Sequence, residues 1–194
     1  MTLNKSPGLD GISNEFYKRF WGDIGKLVVD SFNESYEKQQ LSESQRTAVI
    51  ALLFKKGDAK LLKNYRPISL TNCDYKILAF CLATRLQNVI TSIIHPSQVS
   101  YITSRFIGCN IRLVEDVIHY YDMYNEKGLM LMLDFQKAFD SLEWNFMYKA
   151  LRMFNIGDSF IRWIQTLYFE PVACVKNNGY LSRTFNLGCS VRQG

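Results

Sequence analysis

The sequence lacks any apolar run approaching the roughly 18–20 residues that cross a bilayer. Its opening, M-T-L-N-K-S-P-G-L-D-G, has no apolar signal region. Histidine is almost absent: His95 and His119 are the only two, which argues against a histidine-based metal site. The five cysteines, Cys73, Cys81, Cys109, Cys174 and Cys189, are odd in number and form no C-x-x-C. Neither a disulfide framework nor a zinc site is indicated, and they read as reduced thiols of an intracellular protein. There is no internal repeat and no low-complexity tract. Charge of one sign does not dominate, since 23 Lys and Arg face 18 Asp and Glu for a net charge of +5. That balance is compatible with a nucleic-acid partner without arguing for one. What is present, 47% hydrophobic and 21% charged residues over 194 positions, is the composition of about one globular domain.

The stretch that organises the chain is Gly128 to Trp144, G-L-M-L-M-L-D-F-Q-K-A-F-D-S-L-E-W. Five apolar residues, Leu129 to Leu133, follow a glycine and predict a buried strand. Asp134 comes directly after them. A buried carboxylate is costly unless something positive sits beside it, and hard cations such as Mg²⁺ prefer carboxylate oxygens. A strand-end Asp that merely caps the next turn is the commoner case. The pattern by itself leaves both readings open.

Around it the periodicities predict an α+β chain without regular βαβ alternation. Ser6 to Gly11 is a turn-rich loop, either a backbone cradle for nucleic acid or the entry to a helix. From an N-cap at Ser13, Ile12, Phe16, Phe20, Ile24, Leu27, Val28, Phe32 and Tyr36 form one apolar helical stripe. Thr47 to Phe54 reads as a buried strand, Lys55-Lys56-Gly57-Asp58 as a turn and Asn64 to Leu70 as the returning strand, a two-stranded projection with a basic tip. Asp74 to Ile94 is an amphipathic helix that His95 caps and Pro96 stops. Gln98 to Asn110 is irregular. A helix from Asn110 to about Tyr124 turns Ile111, Val114, Val117, Ile118 and Tyr121 inward. Trp144–Phe154 and Ser159–Tyr168 are further helices, and Asn177-Asn178-Gly179 turns a closing hairpin.

Four stretches together resemble the reverse transcriptase domain of non-LTR (LINE-type) retrotransposons. They are Lys5 to Ile12 (K-S-P-G-L-D-G-I), the Lys55–Asp58 turn with Tyr65 to Leu70 (Y-R-P-I-S-L), Leu133 to Ser141 (L-D-F-Q-K-A-F-D-S), and Gly188 to Gly194 ending V-R-Q-G. Each is modest alone, and their order and spacing are specific. The resemblance covers essentially the whole chain. It implies the fingers and the first half of the palm of a right-hand polymerase, residues 1–128 mostly fingers and 129–194 the start of the palm. The palm sheet would be incomplete and the thumb absent. The implied activity is RNA-directed DNA synthesis, with RNA template, DNA primer and dNTPs as partners and no membrane. Two Mg²⁺ ions, or Mn²⁺ in their place, would serve the two-metal phosphoryl transfer. A ribonucleoprotein of nucleus and cytoplasm is the implied location.

Position by position, Asp134 falls on the first catalytic carboxylate and metal ligand, and Phe135 would offer its backbone carbonyl to a metal. Lys55 or Lys56, with Arg66, would hold the incoming triphosphate, the Arg through its two-pronged fork. Lys137 and Ala138 would present backbone N–H groups to the phosphates. Phe139 falls on an aromatic steric gate beneath the sugar, although A-F-D alone is also compatible with a core phenylalanine. Asp140 reads as a structural acid of the turn. Gln193 and Gly194 match the motif that packs on the nucleotide and template base. Lys5, Gly8, Tyr101 and Arg105 would touch template or primer. The family's Q-x-G-F-x-x-G-R is here Gln98-Val99-Ser100-Tyr101-Ile102-Thr103-Ser104-Arg105, with serines at both glycine positions. Both ends read as cut, with the second palm motif, the thumb and the rest of the polyprotein expected beyond them. The chain by itself is then expected not to polymerise. A non-catalytic nucleic-acid-binding remnant of a decayed element is the alternative.

Overall fold

A computed structural model describes residue 3 and residues 5–191. The elements run α1 (Asn14–Lys38), α2 (Glu43–Arg46), β1 (Thr47–Phe54), a 3-10 turn (Leu62–Asn64), β2 (Tyr65–Leu70), α3 (Cys73–Ile93), α4 (Gly108–Met123), α5 (Trp144–Met153), α6 (Asp158–Leu167), β3 (Val172–Asn177), β4 (Tyr180–Leu181) and β5 (Phe185–Asn186). The chain divides into two compact units, one of Met1–Cys81 with Lys137–Gly194, the other of Leu82–Gln136.

The first unit holds a mixed five-stranded sheet in the order β2-β1-β3-β4, with β5 also pairing β3. The two-stranded projection expected from the sequence is thus the edge of a larger sheet. β1 pairs antiparallel with β2, from Val49 opposite Leu70 to Phe54 opposite Tyr65. It pairs parallel with β3, from Thr47 opposite Val172 to Ala51 opposite Lys176. The sequence explains where this pairing sits. Strands buried on both faces are unbroken apolar runs, and T-A-V-I-A and V-A-C-V are such runs. Ala48, Val49, Ala173 and Cys174 are buried there. Beyond β3 the chain turns at Asn178 and Gly179, both at positive φ, as Asn-Gly predicts. Lys176 is opposite Leu181, yet Ala173 is opposite Phe185. The register therefore slips by one residue around Ser182, a β-bulge whose hydroxyl accepts from Val175 N at 2.9 Å.

Helix α1 differs from the expected stripe in its first half. Asn14, Tyr17, Gly25, Phe32 and Ser35 are buried, whereas Phe16, Phe20 and Leu27 are exposed. Phe20 is itself non-helical at φ −106°, ψ 15°. That kink breaks the single 100° repeat on which a straight stripe depends. Ser13 takes the extended N-cap conformation without a side-chain hydrogen bond. The end of α1 is closed by Gln39 in the left-handed region and by Arg162, which donates to the Tyr36 and Glu37 carbonyls at 3.3 and 3.4 Å. Ile161, Thr166 and Leu167 of α6 complete the core.

In the second unit two expectations are corrected. Ile111, Val114, Val117, Ile118 and Tyr121 of α4 are exposed, not inward. Leu129 to Leu133 form no strand and are exposed, Leu129 by 94% and Met132 by 86%. A strand exists only through bonds to a neighbouring strand, and among the described residues none runs beside this segment. Apolar content alone does not supply that neighbour. No helix is long and apolar enough to cross a membrane among the described residues.

Candidate functional site

In the first unit, the loop before α1 is anchored on the junction of β2 and α3. Asn72, at that junction, is 1% exposed. Its amide donates to the Ser44 carbonyl at 3.1 Å and hydroxyl at 2.8 Å, which ties it to α2. A Cβ built on Gly8 would lie 2.0 Å from Asn72 Oδ1 and 2.5 Å from its backbone nitrogen. Only glycine permits this approach. Lys76 donates to the Ser6 carbonyl at 3.4 Å. Gly8 is therefore packed against protein, while Lys5, at the head of the loop, is exposed. Behind the loop, burial, reinforced by Asp74, Asp10 and Cys73, pushes the Tyr17 phenol up to about 12.

The basic tip is a stitched loop and not a frayed hairpin. Asn64 Nδ2 donates to the Asp58 carbonyl at 2.8 Å, Tyr65 Oη to the Ala59 carbonyl at 2.9 Å, and Lys60 N to Asp58 Oδ1 at 2.9 Å. Gly57 takes φ +96°. Lys55 N donates to the Asn64 carbonyl at 2.8 Å and so extends the β1–β2 ladder by one pair. Alternate strand residues share a face, so Lys55 lies with Leu53 and with Arg66, which is directly opposite Leu53. Lys56 begins the turn. The choice between the two lysines, open in the sequence, becomes one of placement: Lys55 is the one on the Arg66 face.

The segment after Gln136 is a compact turn. The Lys137 carbonyl accepts from Asp140 N at 2.9 Å, from Ser141 N at 3.0 Å and from Ser141 Oγ at 3.0 Å. Lys137 itself has φ +52°. The amides of Lys137 and Ala138 find no acceptor among the described residues. This turn is joined to the chain's last described segment. Val191 N donates to the Phe139 carbonyl at 2.8 Å, Ser190 N to the Leu142 carbonyl at 2.9 Å and Trp144 Nε1 to the Ser190 carbonyl at 2.8 Å. Cys189 Sγ approaches the Asp140 carbonyl at 3.4 Å. Two motifs far apart in sequence are thereby held main chain to main chain, with the Phe139 ring 44% exposed. Gln193 and Gly194 lie outside the described residues.

Asp134 and Phe135 belong to the second unit and both are exposed. Among the described residues no group of three or more His, Cys, Asp or Glu side chains could hold a metal ion. One carboxylate and one carbonyl are too few donors for two Mg²⁺ ions, each of which demands near-octahedral oxygen coordination. The described residues do not by themselves form the expected metal centre.

Arg105 lies in the same unit with both terminal nitrogens of its guanidinium engaged. Nη1 donates to the His95 and Gln98 carbonyls, both at 2.7 Å, and Nη2 to Thr91 at 3.2 Å and Ile94 at 2.9 Å. It closes the C-terminal end of α3. The cap assigned to His95 is therefore corrected: His95 Nδ1 accepts from Ser97 N at 3.2 Å, and the orphan carbonyls go to the residue with a planar fork. Tyr101, exposed, has φ +62°, and Ser104, at one of the two substituted glycine positions, has φ +70°. The backbone keeps a glycine-like conformation there even with a side chain.

Sequence comparison gives an independent view. A family model described as reverse transcriptase (RNA-dependent DNA polymerase) matches residues 54–194. The chain is 38% identical over 194 residues to the "Transposon TX1 uncharacterized 149 kDa protein" of Xenopus laevis, a match covering all of this chain and 15% of that protein. It is 27% identical over 194 residues to the "Retrovirus-related Pol polyprotein from type-2 retrotransposable element R2DM" of Drosophila melanogaster, covering all of this chain and 18% of that one. A third relative is the corresponding polyprotein from type-1 retrotransposable element R1 of Bradysia coprophila. It is 25% identical over 190 residues, 96% of this chain and 19% of its own length. The chain thus spans less than a fifth of these curated relatives.

Proposed function

The chain belongs to the reverse transcriptase (RNA-dependent DNA polymerase) family, in its non-LTR retrotransposon line, and from that premise we propose that it supplies the fingers and the first half of the palm of a right-hand polymerase. Within the complete protein it works on an RNA template, a DNA primer and deoxynucleoside triphosphates. The primer 3′-hydroxyl gives up its proton to solvent as its oxygen attacks the α-phosphorus in line, the bond to the bridging oxygen breaks, and pyrophosphate leaves. The observation that carries this reading is the set of main-chain bonds joining Phe139 and Leu142 to Val191 and Ser190. It fixes the aromatic of one motif beside the start of the other, as a nucleotide pocket built from both would require.

Roles follow from the chemistry of each group. Lys55 and Arg66 offset triphosphate charge from one sheet face. The amides of Lys137 and Ala138 are unspent donors for phosphate oxygens. Phe139 lies under the sugar, where its ring leaves no room for a 2′-hydroxyl and selects deoxynucleotides. Asp134 supplies one carboxylate toward the divalent ions that the family uses, here Mg²⁺. Phe135 adds its backbone carbonyl, and the remaining donors are not among the described residues. Gln193 and Gly194 contact the nucleotide and template base, and Lys5 and Tyr101 contact template or primer.

The test is primer extension on an RNA template by the full protein that carries this chain. Asp134→Asn lowers extension by at least about a hundredfold, and Phe139→Val raises ribonucleotide incorporation. Wild-type extension by Asp134→Asn would refute the assignment and leave a non-catalytic nucleic-acid-binding role.

A further inference from the structure

The five strands carry no aspartate or glutamate and only two charged side chains, Arg66 and Lys176. The register puts both on one face. Arg66 is opposite Leu53, and Lys176 is opposite Ala51, two residues back on the same strand. Residues directly opposite in a ladder point to the same side, as do residues i and i+2 of one strand. Two inter-strand steps across and two residues along separate their Cα atoms by roughly 12 Å. Both side chains are exposed, and neither takes part in an ion pair among the described residues. Between them the floor is Leu53, 56% exposed, and the small side chain of Ala51. Lys55 extends the same face toward the tip. This is a cationic strip, exposed at Arg66, Leu53 and Lys176, with no acid on its strands to neutralise it.

We infer that Lys176 is a further phosphate-binding residue of this face, holding a backbone phosphate of a single nucleic-acid strand laid across β2, β1 and β3. The inference rests on the polymerase reading, in which Arg66 already meets phosphate. A single strand suits the geometry because its successive phosphates form an extended row, matching cations spread across three strands with an apolar floor between them. A triphosphate concentrates its charge at the Lys55–Arg66 end of the strip, where Arg66 is free to hold a strand phosphate when no nucleotide is bound.

The experiment measures fluorescence anisotropy of a labelled single-stranded RNA of about 20 nucleotides with the 194-residue chain, over a salt series without Mg²⁺ or nucleotide. Lys176→Gln is compared with Lys176→Arg, Arg66→Gln and Lys26→Gln, the last removing a cation of α1 that pairs with Asp30. One lost contact to a single strand reduces the slope of log K against log salt by about 0.7, which is about fivefold in affinity at 0.1 M salt. Lys176→Gln and Arg66→Gln each show that loss, while Lys176→Arg and Lys26→Gln match wild type. If Arg66→Gln loses affinity and Lys176→Gln does not, the role of Lys176 is overturned and the phosphate face stands. If neither does, the face itself is overturned. A second arm competes the RNA with dNTP. If Lys176→Gln weakens the competitor and leaves RNA binding intact, the phosphate belongs to the nucleotide and the strand assignment is overturned.

Discussion

Arg105 offers a sharp test of how this chain spends its cations. Replacing it by alanine removes donors from four carbonyls, those of Thr91, Ile94, His95 and Gln98. A hydrogen bond to a charged donor contributes about 1.5–3 kcal/mol when its loss leaves the partner unsatisfied. Here most of these bonds are exposed and only the one to Ile94 is partly buried, so water replaces most of what is lost. The expected cost is therefore far below the sum of four, about 2 kcal/mol, or a factor of about 30 in the opening equilibrium of this segment. Lysine has one ammonium group in place of a planar fork and recovers only part of the loss. The assay is hydrogen exchange across residues 91–106 together with urea unfolding. Arg105→Ala speeds exchange of the Ile94 and Gln98 amides, and RNA affinity measured on the still-folded protein stays at the wild-type value. Unchanged protection accompanied by weaker RNA binding would refute the reasoning and return Arg105 to the nucleic-acid surface.

Two further outcomes follow from packing and charge. Gly8→Ala drives a methyl group into Asn72, which Ser44 pins in place, and lowers stability by about 1–3 kcal/mol; an unchanged urea midpoint would show that the loop does not pack as described. The Tyr17 phenol, raised from 10.0 to about 12 by burial and then by Asp74, Asp10 and Cys73, makes stability fall with alkaline pH. The unfolded chain releases this proton near pH 10 and the folded chain only near 12. The stabilising contribution is thus complete below about pH 10 and is lost as pH rises toward about 12. Urea midpoints across that range decline less steeply in Tyr17→Phe than in wild type, and parallel declines would exclude Tyr17 as the source.

The local chemistry of the chain was legible before any coordinates. The strands expected at Thr47–Phe54 and Asn64–Leu70, the Asn-Gly turn, the helices expected from Trp144 and Ser159, and the family motifs all depend on neighbours within a few residues. Side-chain periodicity and turn preference report such neighbours directly. Where a prediction needed a partner from far along the chain, it often failed. Leu129 to Leu133 have strand composition but no strand beside them among the described residues. The α4 stripe has helical spacing but is exposed among the described residues. His95 stands where a cap belongs, yet the cap comes from Arg105.

By itself the sequence named the candidates for chemistry: Asp134, Lys55, Lys56, Arg66 and Phe139 are proposed from motif and order. Tertiary structure alone decided which of them share a surface. It paired β1 with β3 in parallel, chose Lys55 over Lys56 for the Arg66 face and brought Lys176 to that face. It also bonded Phe139 to Val191 and engaged Arg105 on a helix end. The physical reason is that register is a relation between two segments. A ladder shifted by one residue would turn Lys176 to the opposite face, and no property of V-A-C-V-K-N read alone distinguishes the two.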